Sequence, residues 1–278
     1  MRTVVVAPRA TAPVHSLIRA AVTGTTVDGE DGWERGLTYA PETPGGYRAW
    51  MRCSNETVDE RVTRTPTVDY EPYEVQFVHP CASTFGYNRQ QREDELRRAV
   101  DATESFAIAR ELWTGELSQA AAAAGDLVDP NLSLTDGPTI LNGGTPVKVH
   151  RALGMIEQAV GEALRGQQAY VHLARETLAL FGYLQSSGNL LTSYSGNLLV
   201  ADAGYPGSAP AGEVPADGVS WIYGTGQVVV RRSSLFMAGP DDEVIDTATN
   251  TIYLHGSKVV AATFDRSAHF AVPVDLTA

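Results

Sequence analysis

The sequence predicts an α+β chain, and three observations carry that expectation. Residues 89–112 keep apolar side chains at three- and four-residue steps, the period of an amphipathic helix. A second such run covers 146–165. From residue 219 onward, short pieces rich in Val, Ile and Tyr alternate as half-buried strands do. The 278 residues, 43% hydrophobic, are enough for a sizeable core. Only 19% are charged, and 26 Gly with 15 Pro make the chain turn often. Low charge with many turns suits a subunit that hides surface against neighbours.

Residues 1–34 lack a sustained period and contain the acidic stretch Asp28-Gly29-Glu30-Asp31-Gly32, which reads as part of a flexible N-terminal arm. It lacks the spaced ligands and terminal glutamate of a calcium loop. Residues 35–88 read as an extended, strand-containing excursion, because Pro41, Pro44, Pro66, Pro72 and Pro80 forbid a continuous helix. The helix over 89–112 opens with Asn88 and Gln91 in capping-box spacing and is stopped by Gly115. Leu96, Val100 and Ala107 line one face, with Ala99, Ala102, Phe106 and Ala109 beside them. Glu104 and Glu111 read as solvated charges. The next helix opens at Thr145-Pro146 and ends at Gly166. A strand at 169–173, a helix at 176–184 and a hairpin of 190–194 with 197–201, turned at Ser195-Gly196, follow. Residues 202–218 form a long loop, of a length that is usually functional or mobile. Strands are expected at 219–223, 227–232, 251–254, 258–264 and 268–274.

Charge and motifs exclude several classes of function. With 21 basic and 33 acidic residues the formal charge is −12, the wrong sign for a protein that grips phosphates. No apolar run is long enough for a membrane span. Cys53 and Cys81 make no disulfide framework. Neither lysine, Lys148 or Lys258, lies in a phosphate-binding loop, and no Gly-x-Ser-x-Gly elbow or His-Glu-x-x-His occurs. His15, His79, His150, His172, His255 and His269 are scattered singly. His79 with Cys81 is too few ligands for a metal, and Gly224-Thr225-Gly226 lacks the third glycine of a dinucleotide fingerprint. Asp241-Asp242-Glu243 reads as a solvated turn. No catalytic, cofactor-binding or metal-binding residue is therefore expected. Trp33, Trp50, Trp113 and Trp221 suit either core packing or an interface, and Trp113, closing the long helix, is the expected domain-junction residue.

Three stretches resemble a known family. They are Trp33-Glu34-Arg35-Gly36 with Tyr70-Glu71-Pro72-Tyr73 and the segment 81–86; the segment 102–115 ending Leu112-Trp113-Thr114-Gly115; and Ser195-Gly196-Asn197 through Tyr205-Pro206-Gly207, followed by Tyr223-Gly224-Thr225-Gly226. Together with the element order, they resemble the major capsid protein of tailed bacteriophages, the Hong Kong 97-type fold, and look most like those of actinobacteriophages. The resemblance implies an N-terminal arm (1–34), an extended loop over a neighbouring subunit (35–88), a spine helix opening the peripheral domain (89–145), an axial domain (146–225) and a return to the peripheral domain (226–278). It implies no enzyme and no cofactor, but a structural protein that self-assembles into hexamers and pentamers of an icosahedral virion shell. That shell encloses double-stranded DNA without sequence-specific binding, is assembled in the host cytoplasm and touches no membrane. Its partners would be copies of itself, a portal, a scaffold and decoration proteins.

Some members of that family carry a long N-terminal scaffolding segment that a protease removes; here the expectation is a scaffold that is separate or dispensable, or a segment already cut away, and Met1 argues against the last. Some members also cross-link subunits through lysine–asparagine isopeptide bonds; with only Lys148 at a helix start and Lys258 in a strand, and no lysine in the extended loop, no such cross-link is expected. An encapsulin-type nanocompartment shell shares the fold and is the alternative reading. An unrecognised soluble hydrolase is the alternative from another class.

Overall fold

The computed structural model describes residues 15–24, 33–39, 48–50, 57–59, 67–82, 89–127, 129–182, 184–187, 190–237, 244–246, 248 and 251–277. They begin with a single helical turn, α1 (Leu17–Ala20), and a short strand, β1 (Val22–Gly24). Four strands of the excursion follow: β2 (Leu37–Tyr39), β3 (Arg48–Trp50), β4 (Thr57–Asp59) and β5 (Val68–Tyr70). Next come β6 (Tyr73–Ala82), the long helix α2 (Arg89–Thr114) and α3 (Glu116–Ala124). The middle of the chain holds β7 (Thr139–Ile140), β8 (Val147–Lys148), α4 (Val149–Ala163), β9 (Tyr170–Leu173), α5 (Arg175–Ala179), β10 (Gln185–Ser187), β11 (Leu190–Thr192) and β12 (Leu198–Val200). The last part holds β13 (Val219–Thr225), β14 (Val228–Arg232), β15 (Phe236–Met237), β16 (Val244–Asp246), β17 (Thr251–Phe264) and β18 (His269–Asp275).

Two sheets organise these elements. The eight-stranded sheet runs β10-β11-β12-β9-β13-β18-β7, with β8 also on β18. The six-stranded sheet runs β1-β14-β17, with β15 and β16 in line with β14 and β6 on the opposite side of β17. α4 lies on the first sheet because Val149, Ala152, Leu153, Ile156 and Val160 form one buried stripe against β13 and β18. The helix and sheet approach closely only because residue 224 has no side chain. A Cβ on Gly224 would sit 2.6 Å from Ile156 Cγ2 and 2.8 Å from Val160 Cγ1. Ile156 is fully buried, so Ile156→Ala would cost about 2–5 kcal/mol. Gly166, at φ +79°, closes the helix by donating its N–H to Gly161 O at 2.9 Å.

α2 spans both halves. At about 1.5 Å per residue it runs roughly 39 Å. Leu96 and Val100 pack with Phe77, Ile252 and Leu254 under the six-stranded sheet. Ile108, Leu112 and Trp113 belong to a larger core with Tyr205, Tyr223 and Phe264.

Several expectations change. The arm is not flexible throughout: Leu17 is fully buried, Ala21 is buried, and β1 pairs in parallel with β14, since this short apolar piece has a strand edge to join. The second helix opens at Val149, because Val147 and Lys148 pair with Val274 and Asp275 instead. Residues 251–264 form one continuous strand. The return at 226–278 is split: β14 to β17 join the six-stranded sheet, whereas β18 pairs with β13 over seven residues. Ala271, Val272 and Val274 are buried, so β18 must be covered on both faces, and the eight-stranded sheet with α4 does so. The expected helix at 176–184 is the five-residue α5, and the alanine run is part of α3. Residues 28–32 and 241–243 lie outside the described residues.

Candidate functional site

The side chains with chemical potential are gathered along a seam where α2 meets both sheets. Glu104, 2% exposed, receives hydrogen bonds from Arg232 Nη1 at 2.9 Å and from Lys258 Nζ at 3.1 Å. One carboxylate thus ties the helix to β14 and β17. Glu111, also buried, accepts from the N–H groups of Leu117 and Ser118 at 2.8 and 3.0 Å, so it caps the start of α3. Neither is a solvated charge. Val100, Glu104 and Ile108 step by four, so Glu104 already shared the face that Leu96 and Val100 mark as buried, and that spacing was the readable clue.

Asp202 holds the arm from a distance. It is 1% exposed, and its Oδ2 accepts from the Leu17 N–H at 2.9 Å and from the Ser105 hydroxyl at 2.6 Å. Its Oδ1 accepts from the Gly204 N–H at 3.0 Å. The first N–H of α1 is therefore satisfied by a residue 185 positions away. Gly204 must be glycine, because a Cβ there would lie 2.3 Å from Phe106 O and 2.8 Å from Arg110 N.

Beside it, Trp113 is fully buried, lies tilted against Tyr205 and edge-to-face with Tyr223 at ring-centroid distances of 4.9 and 4.8 Å, and donates to Ser208 Oγ at 2.9 Å. His172 bridges Tyr205 and Thr225, with contacts of 2.8 Å at Nδ1 and 3.0 Å at Nε2. Thr225 Oγ1 donates to Gly226 O, so it must accept from His172 Nε2–H, and Nδ1 accepts from the Tyr205 hydroxyl. The ring is neutral. Burial pushes His172 down to about 3, with His269 nearby adding to the effect. Burial likewise lowers His269 to about 4, against the opposing hydrogen bond from its Nε2–H to Leu134 O. Burial and Asp202 raise the Tyr205 phenol. These groups are held by partners and removed from water, which suits structure and not proton transfer to a substrate.

The other sequence candidates are dispersed. His79 sits on β6 facing α2, 3.9 Å from Glu95. Gly224 and Gly226 lie at close approaches, the latter against Asp265. Trp33 and Trp221 are buried; the side chains of Trp50, Cys53 and Cys81 lie outside the described residues. Among the described residues no group of three or more His, Cys, Asp or Glu could hold a metal ion, and no helix is long and apolar enough to cross a membrane.

The second region is the hairpin. β2 pairs with β5, Leu37 facing Tyr70, and β3 pairs with β4, Trp50 facing Thr57. The two stretches between these ladders, 40–47 and 60–67, have eight residues each, so both ladders share one register. Its base is fixed to the body. Tyr70 is buried, and the Asn131 side chain pairs with the Glu71 backbone as a strand would, accepting at 2.7 Å and donating at 2.8 Å. Beneath the base, a cavity of about 590 Å³ is lined by Asp69, Glu71, Tyr73, Leu117, Asp126 and Asp129, among others.

No protein-family model matches the sequence, and no curated protein matches it. Solved structures do. The capsid of an empty GTA particle is similar at 13% identity and TM-score 0.56, over 99% of this chain and 95% of its own. The holo-SrpI encapsulin complex from Synechococcus elongatus PCC 7942 is similar at 13% and 0.52, over 100% and 94%. Mycobacterium phage Che8 is similar at 11% and 0.51, over 98% and 95%. Likeness at such identity speaks to the fold, and by that measure the chain has the α+β Hong Kong 97-type capsid fold.

Proposed function

We propose that this chain is the major capsid protein of a tailed phage, a virion subunit that closes hexamers and pentamers of itself into an icosahedral head around double-stranded DNA. The observation that supports it is the end-to-end sharing of fold with capsid subunits, 99% of this chain against 95% of the GTA capsid protein. In this reading 1–34 is the arm, 35–88 the extended loop, 89–145 the spine helix and opening of the peripheral domain, and 146–225 the axial domain. β14 to β17 complete the peripheral domain, and β18 completes the axial sheet. The hairpin supplies what a closed shell requires, an element that can re-aim around a rigid body in slightly different environments. The −12 charge suits a wall that confines DNA without gripping it. A portal and a scaffold are its expected partners, and the chain acts by packing against its copies and not by catalysis.

The encapsulin match supports a second reading, a nanocompartment shell. Electron microscopy of particles made by the purified chain, and nuclease treatment of particles from the native source, test both. Shells or five- and six-fold rings, with nuclease-protected DNA in the native particles, are the expected result. Shells filled with protein would favour the compartment, and a monodisperse globular monomer would refute both.

A further inference from the structure

We propose that the Asn142-Gly143 turn is a site of spontaneous covalent modification, where the Asn142 amide cyclises onto the main chain and opens to aspartate and isoaspartate. The inference goes beyond the shell reading and does not depend on it. Of the seven asparagines in the chain, Asn142 alone is followed by glycine; the others precede Glu, Arg, Leu or Thr. With no side chain at 143 the next main-chain nitrogen is unshielded, and a Cβ placed there would have nothing within 4 Å. Both residues are exposed. Asn142, Gly143 and Gly144 all have left-handed backbone, at φ 53°, 60° and 75°. Asparagine tolerates that region better than most residues, yet glycine alone adopts it freely. The turn is braced at the surface, by Asn142 Nδ2 donating to Thr145 O at 2.9 Å and the Thr145 N–H donating to Asn142 O at 3.2 Å. Solvated bonds of this kind open locally at low cost. Asn197 shows the contrast: it precedes leucine, is buried, and its Oδ1 accepts from the Ala169 N–H at 3.0 Å.

The step needs water and no other reagent. The Gly143 nitrogen gives its proton to hydroxide and attacks Asn142 Cγ, so that an N–Cγ bond forms and the Cγ–Nδ2 bond breaks. Nδ2 takes a proton from water and leaves as ammonia, which closes a cyclic imide. Water then adds to either ring carbonyl carbon, the bond from that carbon to the Gly143 nitrogen breaks, and the nitrogen regains its proton. Opening at Cγ gives aspartate, and opening at the main-chain carbonyl gives isoaspartate. Nothing is oxidised or reduced, and a neutral amide becomes a carboxylate. A carboxylate cannot donate to Thr145 O, and isoaspartate adds a methylene to the main chain at the turn. The turn leads into β8, where Val147 and Lys148 lie opposite Val274 and Asp275 at the edge of the eight-stranded sheet. Modification therefore loosens that edge.

The test incubates the purified full chain in mildly alkaline and in mildly acidic buffer, beside the same chain held unfolded in guanidinium chloride. Mass spectrometry of the digested chain reads each asparagine. The expected result is conversion of Asn142 in the native chain, several-fold faster in the alkaline buffer, with both aspartate and isoaspartate formed and with Asn131 and Asn197 intact. Hydrogen exchange should then quicken at Val147 and Lys148 and stay unchanged in β9 and β13. In guanidinium chloride, where no fold intervenes, Gly143→Ala should slow the conversion several-fold. A native chain whose Asn142 stays intact overturns the inference, whether or not the unfolded chain converts. Conversion to aspartate alone, or at a rate indifferent to Gly143→Ala, also overturns it, since neither passes through the cyclic imide.

Discussion

The seam along α2 and the hairpin between residues 37 and 70 treat polar groups in opposite ways. In the seam Glu104, Glu111, Asp202 and His172 are buried and nearly every polar atom named has a partner within the chain. Such a network fixes one arrangement of arm, helix and sheets, because a half-satisfied version is costly. Among the described residues the hairpin's strands pair with one another, and its base meets the body through Tyr70 and the Asn131 clamp. The contrast teaches where rigidity and adaptability reside. In the shell reading proposed above, the seam would make each subunit the same, and the hairpin would let the subunit meet neighbours at different angles.

The largest way to break the contrast is at Glu104. Glu104→Ala leaves Lys258 and Arg232 without their shared carboxylate, and a cost of about 3–5 kcal/mol is expected in urea unfolding. Gly204→Ala comes next. Its new Cβ would meet the backbone of α2, so about 1–3 kcal/mol should be lost. The sharpening control is Gly161→Ala on α4, where nothing lies within 4 Å, and a gain of about 0.5–1 kcal/mol is expected.

Acid should loosen the seam before it affects the hairpin ladders. His172 and His269 titrate lower in the folded chain than the ordinary imidazole value near 6.5, so the unfolded chain binds protons first. Their contribution is complete above that value and is lost as the pH falls toward about 4 and then about 3. The Tm should therefore fall across this window, and His172→Gln should flatten the fall. A Tm independent of pH there would contradict the neutral, buried network. The smallest effect on the subunit is expected from Asn131→Ala. Losing the clamp on Glu71 should cost only about 1 kcal/mol, yet reduce particle yield strongly because the hairpin leaves the body at a less defined angle.

How much of this was legible in the sequence varies by region. α2 was readable nearly to its ends because Leu96, Val100 and Gly115 state its period and its stop. The hairpin of β11 and β12 was readable from Ser195-Gly196. The arm was not, because the partner that holds Leu17 is Asp202, far along the chain, and β1 gains its strand identity only from β14. The split of the C-terminal return was also hidden, since β17 and β18 look alike in composition and differ only in which sheet covers them. The junction role of Trp113 followed from its place at the end of α2, while its partners Tyr205 and Ser208 come from a loop whose path no local pattern states. The hydroxyl network around His172 left no local trace, because a lone histidine in a strand carries no sign of what faces it.

If the hairpin serves other copies and not the chain's own core, shortening it should abolish assembly and spare the fold. Sedimentation velocity of the full chain beside a version with residues 40–66 replaced by a short turn tests it most directly. Megadalton particles are expected from the full chain, and folded monomers with an unchanged Tm from the shortened one. A shortened chain that unfolds, or that still forms particles, would contradict it.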